Sequence, residues 1–242
     1  RTREDQLSNR LNSSGLRERL SQVYGWFVKT NDDSPVYYVE IPKTGSSFTK
    51  AHIQKDVKKM GLFRKSGYNC SAFPNLKSFV IVREPLQRFL SGYGTVRGRV
   101  RNKAPFSSCN GTGLENEKRC YINFVNDFTS TGENINRYAR GRTRYPYVFN
   151  HVLSQMWFLD IFPCKIDYVL HTENLSEEWG QLSKLLNVTS VLSYRGKGNN
   201  QNEGDKMKIT RSVRNLFRNI STSTEKLIHY FKQDSTCFGY QH

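Results

Sequence analysis

Two short groups of residues in this chain of 242 have types and spacing suited to holding a phosphate. The first is Lys43-Thr44-Gly45-Ser46-Ser47, small and hydroxylated residues around one glycine, with a cation at its start. A tight loop that opens a helix presents backbone N–H groups and the positive end of the helix dipole to an anion. Lys43 adds a mobile charge and the hydroxyls add donors. The second group is Arg83 with Ser91. A guanidinium at the end of a strand suits bidentate phosphate binding, although it can equally cap a strand carbonyl or pair with the adjacent Glu84. The loop is not a Walker A motif, which needs G-x-x-x-x-G-K-[ST]; here the lysine precedes a single glycine. That order counts against a nucleotide kinase.

The flanking sequence predicts the elements that carry these groups. Residues 36–41 are a β-rich apolar run that Pro42 stops. Ser46 or Ser47 is a good N-cap. Phe48, Ile53, Val57 and Met60 then follow a helical face, which Gly61 can close. Residues 78–82 form a second strand. Pro85 suits the first helical position after it, and Leu86, Phe89, Leu90 and Tyr93 give an apolar face. Residues 62–77 read as a loop, 121–140 and 150–159 as helical, 164–175 as a strand with its exit, and Trp179, Leu182, Leu185 and Leu186 as a core helix. Residues 209–231 read as a terminal amphipathic helix interrupted at 221–224. The fold class is α/β, a central parallel sheet flanked by helices, in which ligands bind at the carboxyl ends of the strands. Residues 1–30 are expected to be an N-terminal helical or stem segment. Residues 31–242 are expected to form one catalytic domain, with a basic insert at about 94–120.

Composition is that of a globular chain, 36% hydrophobic and 13% aromatic, and no apolar run approaches a membrane span. Lys+Arg 37 against Asp+Glu 21 gives +16, with a pI near 9.7, which favours anionic partners such as nucleic acid, acidic glycans or a membrane surface. Asn-x-Ser/Thr sequons begin at Asn12, Asn69, Asn110, Asn174, Asn187 and Asn219, more than chance placement gives, and point to the secretory pathway. The five cysteines suit that compartment and leave at least one unpaired. Cys109 and Cys120 flank a polar, glycine-containing loop and are the expected pair; sequence does not pair Cys70, Cys164 and Cys237. No Cys/His spacing indicates a metal site.

Pro42-Lys43-Thr44-Gly45-Ser46-Ser47-Phe48 resembles the 5′-phosphosulfate-binding loop of sulfotransferases that use 3′-phosphoadenosine 5′-phosphosulfate (PAPS). Residues 79–93, with Arg83 and Ser91, resemble the 3′-phosphate-binding element of Golgi carbohydrate sulfotransferases. There an arginine after the strand and a serine in the following helix hold the 3′-phosphate. The segment from His151 to Gln155, the stretch from Pro163-Cys164 to Leu175, and the ending from Asp234 to Phe238-Gly239-Tyr240 are similar to the same enzymes. The resemblance spans residues 36–240 apart from the middle insert.

The resemblance implies a PAPS-dependent carbohydrate O-sulfotransferase. Lys43 would stabilise the leaving phosphate, and Thr44, Gly45, Ser46, Ser47, Phe48 and Thr49 would hold the 5′-phosphate side. Phe48 takes the place of an aromatic that packs on adenine, although core packing is an equal reading. Arg83 and Ser91 would bind the 3′-phosphate, and Lys197 lies in a late loop that would close over the nucleotide. Adenosine 3′,5′-bisphosphate would be the product, with no metal involved. His151 is the first choice for general base, with His52 and Glu40 as alternatives. Alternation at Arg97, Arg99 and Arg101, if extended, puts three guanidiniums on one side; with Arg140 and Arg142 they would bind an acidic polysaccharide, with a solvated basic loop as the plain alternative and a neutral N-glycan sugar or a tyrosine hydroxyl still open as acceptor. Nucleic acid is not expected as partner. The expected location is the Golgi lumen, as a type II membrane protein whose anchor lies ahead of Arg1, or secreted. The rival from another class is a non-enzymatic binder of heparin-like polyanions or nucleic acid.

Overall fold

A computed structural model describes residues 25–29, 35–56, 63–64, 75–100, 106, 109, 113–130, 146–160, 162, 164–187 and 220–241. The chain divides into two compact units. One is Ser21–Glu84 with Gln155–Asn199; the other is Arg1–Leu20, Pro85–Ser154 and Asn200–His242.

The first unit is built on a five-stranded sheet in the order β3-β1-β2-β4-β5. The strands are β1 (Gly25–Lys29), β2 (Pro35–Val39), β3 (Phe63–Arg64), β4 (Lys77–Val82) and β5 (Tyr168–His171). The expected parallel core is present: β2 pairs with β4 in parallel, Val36 opposite Lys77 and Val39 opposite Val80, and β4 pairs in parallel with β5. β1 and β3 add an antiparallel side that sequence did not reveal. β1 falls in the stretch assigned to the N-terminal stem, and β3 in the stretch read as loop. Short strands carry little periodicity of their own, and pairing with β2 and β3 is what makes a strand of residues 25–29.

β2 and β4 are apolar without alternation because both faces are covered. Val36, Tyr37, Tyr38 and Val39 are all buried, as are residues 78–82. Tyr38 and Phe79 are register partners whose rings stack at 4.8 Å on one face, while Tyr37 stacks on Phe162 at 5.2 Å on the other. Helix α1 (Ser46–Asp56) follows β2, and its expected end at Gly61 lies outside the described residues. α4 (Gln155–Asp160) and α5 (Leu175–Leu185) complete this unit, with Trp179 and Leu182 of α5 in the core.

The second unit is helical. α2 (Pro85–Arg99) starts on its proline, as expected, and α3 (Leu114–Ser130) packs on it. α6 (Ser221–Tyr230) and α7 (Lys232–Cys237) close the chain. Their core is aromatic: Phe89, Tyr93, Tyr121, Phe124, Phe128 and Phe231 are buried together. Each such ring contributes about 1.5–3 kcal/mol by leaving water. The Ser221-Thr222-Ser223-Thr224 run is the first turn of α6, where the Thr224 N–H and hydroxyl both bond the Ile220 carbonyl; the part of the expected helix before Ile220 lies outside the described residues. Much of the presumed insert at 94–120 is helix. Phe106 and Cys109 between α2 and α3 are buried in the same core, and Cys109 is disulfide-bonded to Cys120 as expected.

Candidate active site

The loop between β2 and α1 is made by an alternation of backbone hand. Lys43 has φ 74° and Gly45 φ 82°. For Gly45 this costs nothing; a lysine in the left-handed region stays only where its surroundings hold it. Those surroundings are identifiable. The buried Thr44 hydroxyl donates to the Ile41 carbonyl at 2.9 Å. Gly45, not a serine, occupies the cap position: its carbonyl accepts from the Thr49 N–H at 2.9 Å and from the Thr49 hydroxyl at 3.2 Å. Helix α1 therefore starts one residue earlier than a serine cap implies. The amides of Ser46, Ser47 and Phe48 fall in its first turn, where no intrahelical carbonyl is available.

The loop's carbonyls face the exits of the neighbouring strands. Lys43 O accepts from the Arg83 guanidinium at 3.4 Å, and Thr44 O from the Thr172 hydroxyl at 3.2 Å. In a trans peptide the following N–H points the opposite way. The Thr44 and Gly45 amides are thereby free of these two carbonyl contacts and point to the other side of their peptide planes. Beneath the loop the Tyr38 hydroxyl lies beside those of Thr44 and Thr49, and burial raises its pKa far above the ordinary tyrosine value.

The end of β4 is held by side chains after its ladder runs out at Val82 opposite His171. The Thr172 hydroxyl shares its one proton between Thr44 O and the nearer Val82 O, at 2.8 Å. Gln155 bonds both backbone groups of Arg83, and a Glu173 oxygen accepts from the Glu84 N–H at 2.9 Å. Thr172, Glu173 and the role of Gln155 were not found from sequence. A polar residue at a strand exit reads as loop until the backbone it bonds is known.

The remaining expected residues divide sharply. Glu40, an alternative base, has both oxygens engaged, by Trp26 Nε1 at 2.5 Å and by Lys50 Nζ at 2.8 Å, while Lys50 also lies over the Trp26 ring. It pins α1 to the end of β2. Phe48 faces the Trp179 ring at 6.1 Å and packs, partly buried, against the core. His52 lies in α1, with its side chain outside the described residues. His171 is paired with Glu178, its Nδ1 3.1 Å from Oε1.

In the helical unit Ser91 is half-buried on α2. Its neighbour Gly92 permits a close approach: a Cβ there would sit 2.0 Å from the His151 carbonyl oxygen. Buried Arg88, one turn earlier, donates to the carbonyls of Leu153 and Asn150. These contacts hold the 3₁₀ turn Pro146–His151 against α2. His151 Nδ1 lies 2.8 Å from Val148 O, a carbonyl that only accepts. Nδ1 therefore carries the proton, and the basic lone pair is on Nε2.

Arg97 and Arg99 lie in helix α2, so the extended alternation with Arg101 does not occur. Arg97 is 5% exposed and its guanidinium is occupied. It pairs with Glu117 at 2.7 Å, donates to Cys109 O at 3.1 Å and lies over the Phe106 ring. This arginine is part of the core, not of an acceptor surface. Arg99 is exposed at the end of the helix. Arg101, Arg140, Arg142 and Lys197 lie outside the described residues.

Residues 26–241 match the model of the sulfotransferase family. No curated protein and no solved structure matches the chain. The matched span contains both phosphate-suited groups and the whole described sheet apart from its first residue, and on that match the chain belongs to the sulfotransferase family, whose members are enzymes that transfer a sulfuryl group from a donor.

Proposed function

We propose that this sulfotransferase takes its sulfuryl group from PAPS and places it on a carbohydrate hydroxyl, with an acidic polysaccharide as acceptor. The observation that carries the donor reading is the loop itself. A lysine held at φ 74° at its head, amides opening a helix and the Arg83 guanidinium reaching the loop carbonyl fit a nucleotide with phosphates at both ends.

In the proposed reaction the bond between sulfur and the bridging phosphate oxygen breaks as a bond to the acceptor oxygen forms. The acceptor's proton passes to His151 Nε2. The phosphate oxygen that gains charge meets Lys43, and charge that develops only in the transition state is where a fixed cation lowers the barrier. Adenosine 3′,5′-bisphosphate is released, its 3′-phosphate held by Arg83 and Ser91. The roles of Ser91 and His151 rest on the resemblance of their segments. Acceptor binding is assigned to Arg99, Arg101, Arg140 and Arg142, with Arg97 removed from the group.

Location in the Golgi lumen or outside the cell is supported by the bonded Cys109, Cys120 and Cys164 and by the exposed sequon residues Asn174 and Asn187. The test is transfer from labelled PAPS to chondroitin, desulfated heparin and a neutral N-glycan at rising salt. Transfer to a polyanion whose KM climbs with salt is the expected result. Tight polyanion binding without transfer to any acceptor would favour the non-enzymatic reading, and salt-independent transfer to the neutral glycan would replace the acceptor class.

A further inference from the structure

We infer that Gln155 is a positioning residue for the donor's 3′-phosphate, its buried amide fixing the backbone from which Arg83 projects. This rests on the donor reading above and extends it to a residue that touches no ligand.

The ladder between β4 and β5 ends at Val82 opposite His171, so Arg83 is the first residue of this segment with no strand beside it. Gln155, fully buried at the start of α4, stands in for that strand. Its Oε1 accepts from Arg83 N at 2.9 Å and its Nε2 donates to Arg83 O at 2.8 Å. One planar amide thus supplies the donor and acceptor that a neighbouring strand would have supplied. Glutamate lacks the donor, methionine lacks both, and asparagine is one carbon shorter.

Satisfying buried backbone groups would by itself be a stabilising role. What makes this clamp functional is the residue it holds. On either side, the Thr172 hydroxyl bonds Val82 O and a Glu173 oxygen bonds Glu84 N. Arg83 is held through both its backbone N and O, and its guanidinium reaches across to the Lys43 carbonyl of the phosphate loop. Long arginine side chains lose much rotamer entropy on binding. Fixing N and C=O of the same residue fixes the direction of Cβ and shortens the search the guanidinium must make. A small misplacement at such a point is amplified at the ligand.

The experiment measures equilibrium binding of adenosine 3′,5′-bisphosphate and of adenosine 5′-monophosphate to the full chain, with melting temperature alongside. The variants are Gln155→Met, Gln155→Glu, Arg83→Ala and the double variant Gln155→Met with Arg83→Ala. The wild type should prefer the bisphosphate. Gln155→Met should cut that preference about tenfold while leaving 5′-monophosphate affinity unchanged. Gln155→Glu, which keeps the acceptor for Arg83 N, should lose less, and it carries the test if the methionine variant does not fold. In the Arg83→Ala background Gln155→Met should remove no further preference, because the two act as one unit. A lowered melting temperature with the bisphosphate preference intact would reduce Gln155 to a stabilising residue and overturn the inference alone. A wild type indifferent to the 3′-phosphate would overturn the donor reading and the inference together.

Discussion

Arg83 and Arg97 both read from sequence as anion-binding arginines, yet the structure engages them differently. At Arg83 the backbone is clamped, by Gln155 on both N and O, and the half-buried side chain extends to the phosphate loop. At Arg97 the guanidinium is clamped, by Glu117, Cys109 O and the face of Phe106. A fixed backbone gives a side chain a defined direction in which to act. A fixed guanidinium has spent its donors on the fold. Arginine next to a carboxylate one helix away is therefore a brace for the disulfide-closed Cys109–Cys120 segment, whatever its neighbours in sequence.

The contrast is sharpest at Arg97. Removing the buried Arg97 side chain leaves a cavity in the aromatic core and the half-buried Glu117 and Cys109 O without their partner, so Arg97→Ala should lose about 3–5 kcal/mol of stability. Denaturant unfolding would show this, and the folded fraction should bind nucleotide and polyanion as the wild type does. A stable Arg97→Ala protein with weakened acceptor binding would return Arg97 to the acceptor surface.

Lys43 should behave in the opposite way. Lys43→Ala should lower kcat by about 10²–10³, with product-nucleotide affinity falling less. Lys43→Gly separates chemistry from fold, because glycine adopts φ 74° without strain. It should melt no lower than the wild type and be equally inactive. Lys43→Arg should rescue poorly, a planar fork replacing a compact ammonium. Near-normal turnover in a folded Lys43→Gly enzyme would remove Lys43 from the reaction.

The smallest effect belongs to Glu40. With both oxygens given to Trp26 and Lys50 and little of its side chain exposed, Glu40→Gln should lower stability by about 1–3 kcal/mol and change kcat by little. A collapse of kcat in Glu40→Gln with its melting temperature unchanged would restore Glu40 as the base.

What sequence made legible follows from how local each signal is. The two parallel core strands were legible because burial on both faces leaves a continuous apolar run, as in 36–39 and 78–82. The start of α2 was legible because proline fixes its own position. The disulfide was legible because only the pair flanking the loop was close in the chain. β1 and β3 were not, since their strand character comes from pairing with β2 and with each other. The helical state of 97–99 was hidden because arginine is compatible with helix and strand alike. Gln155, Thr172 and Glu173 were invisible as functional residues because their partners are backbone groups of residues far away in the chain. The loop carried its own chemistry in its residue types, but not its cap: the choice of Gly45 over Ser46 depends on a left-handed turn that residue types do not announce.

The central claim is that the loop at Lys43 and the strand end at Arg83 form one donor site for a nucleotide bearing both 5′ and 3′ phosphates. Titration calorimetry of the wild type and Arg83→Ala with adenosine 3′,5′-bisphosphate and adenosine 5′-monophosphate tests it most directly. The wild type should prefer the bisphosphate, and Arg83→Ala should lose about 1.5–3 kcal/mol for that ligand alone, as expected for a charge-assisted bond. Equal loss for both nucleotides, or no preference in the wild type, would contradict the account.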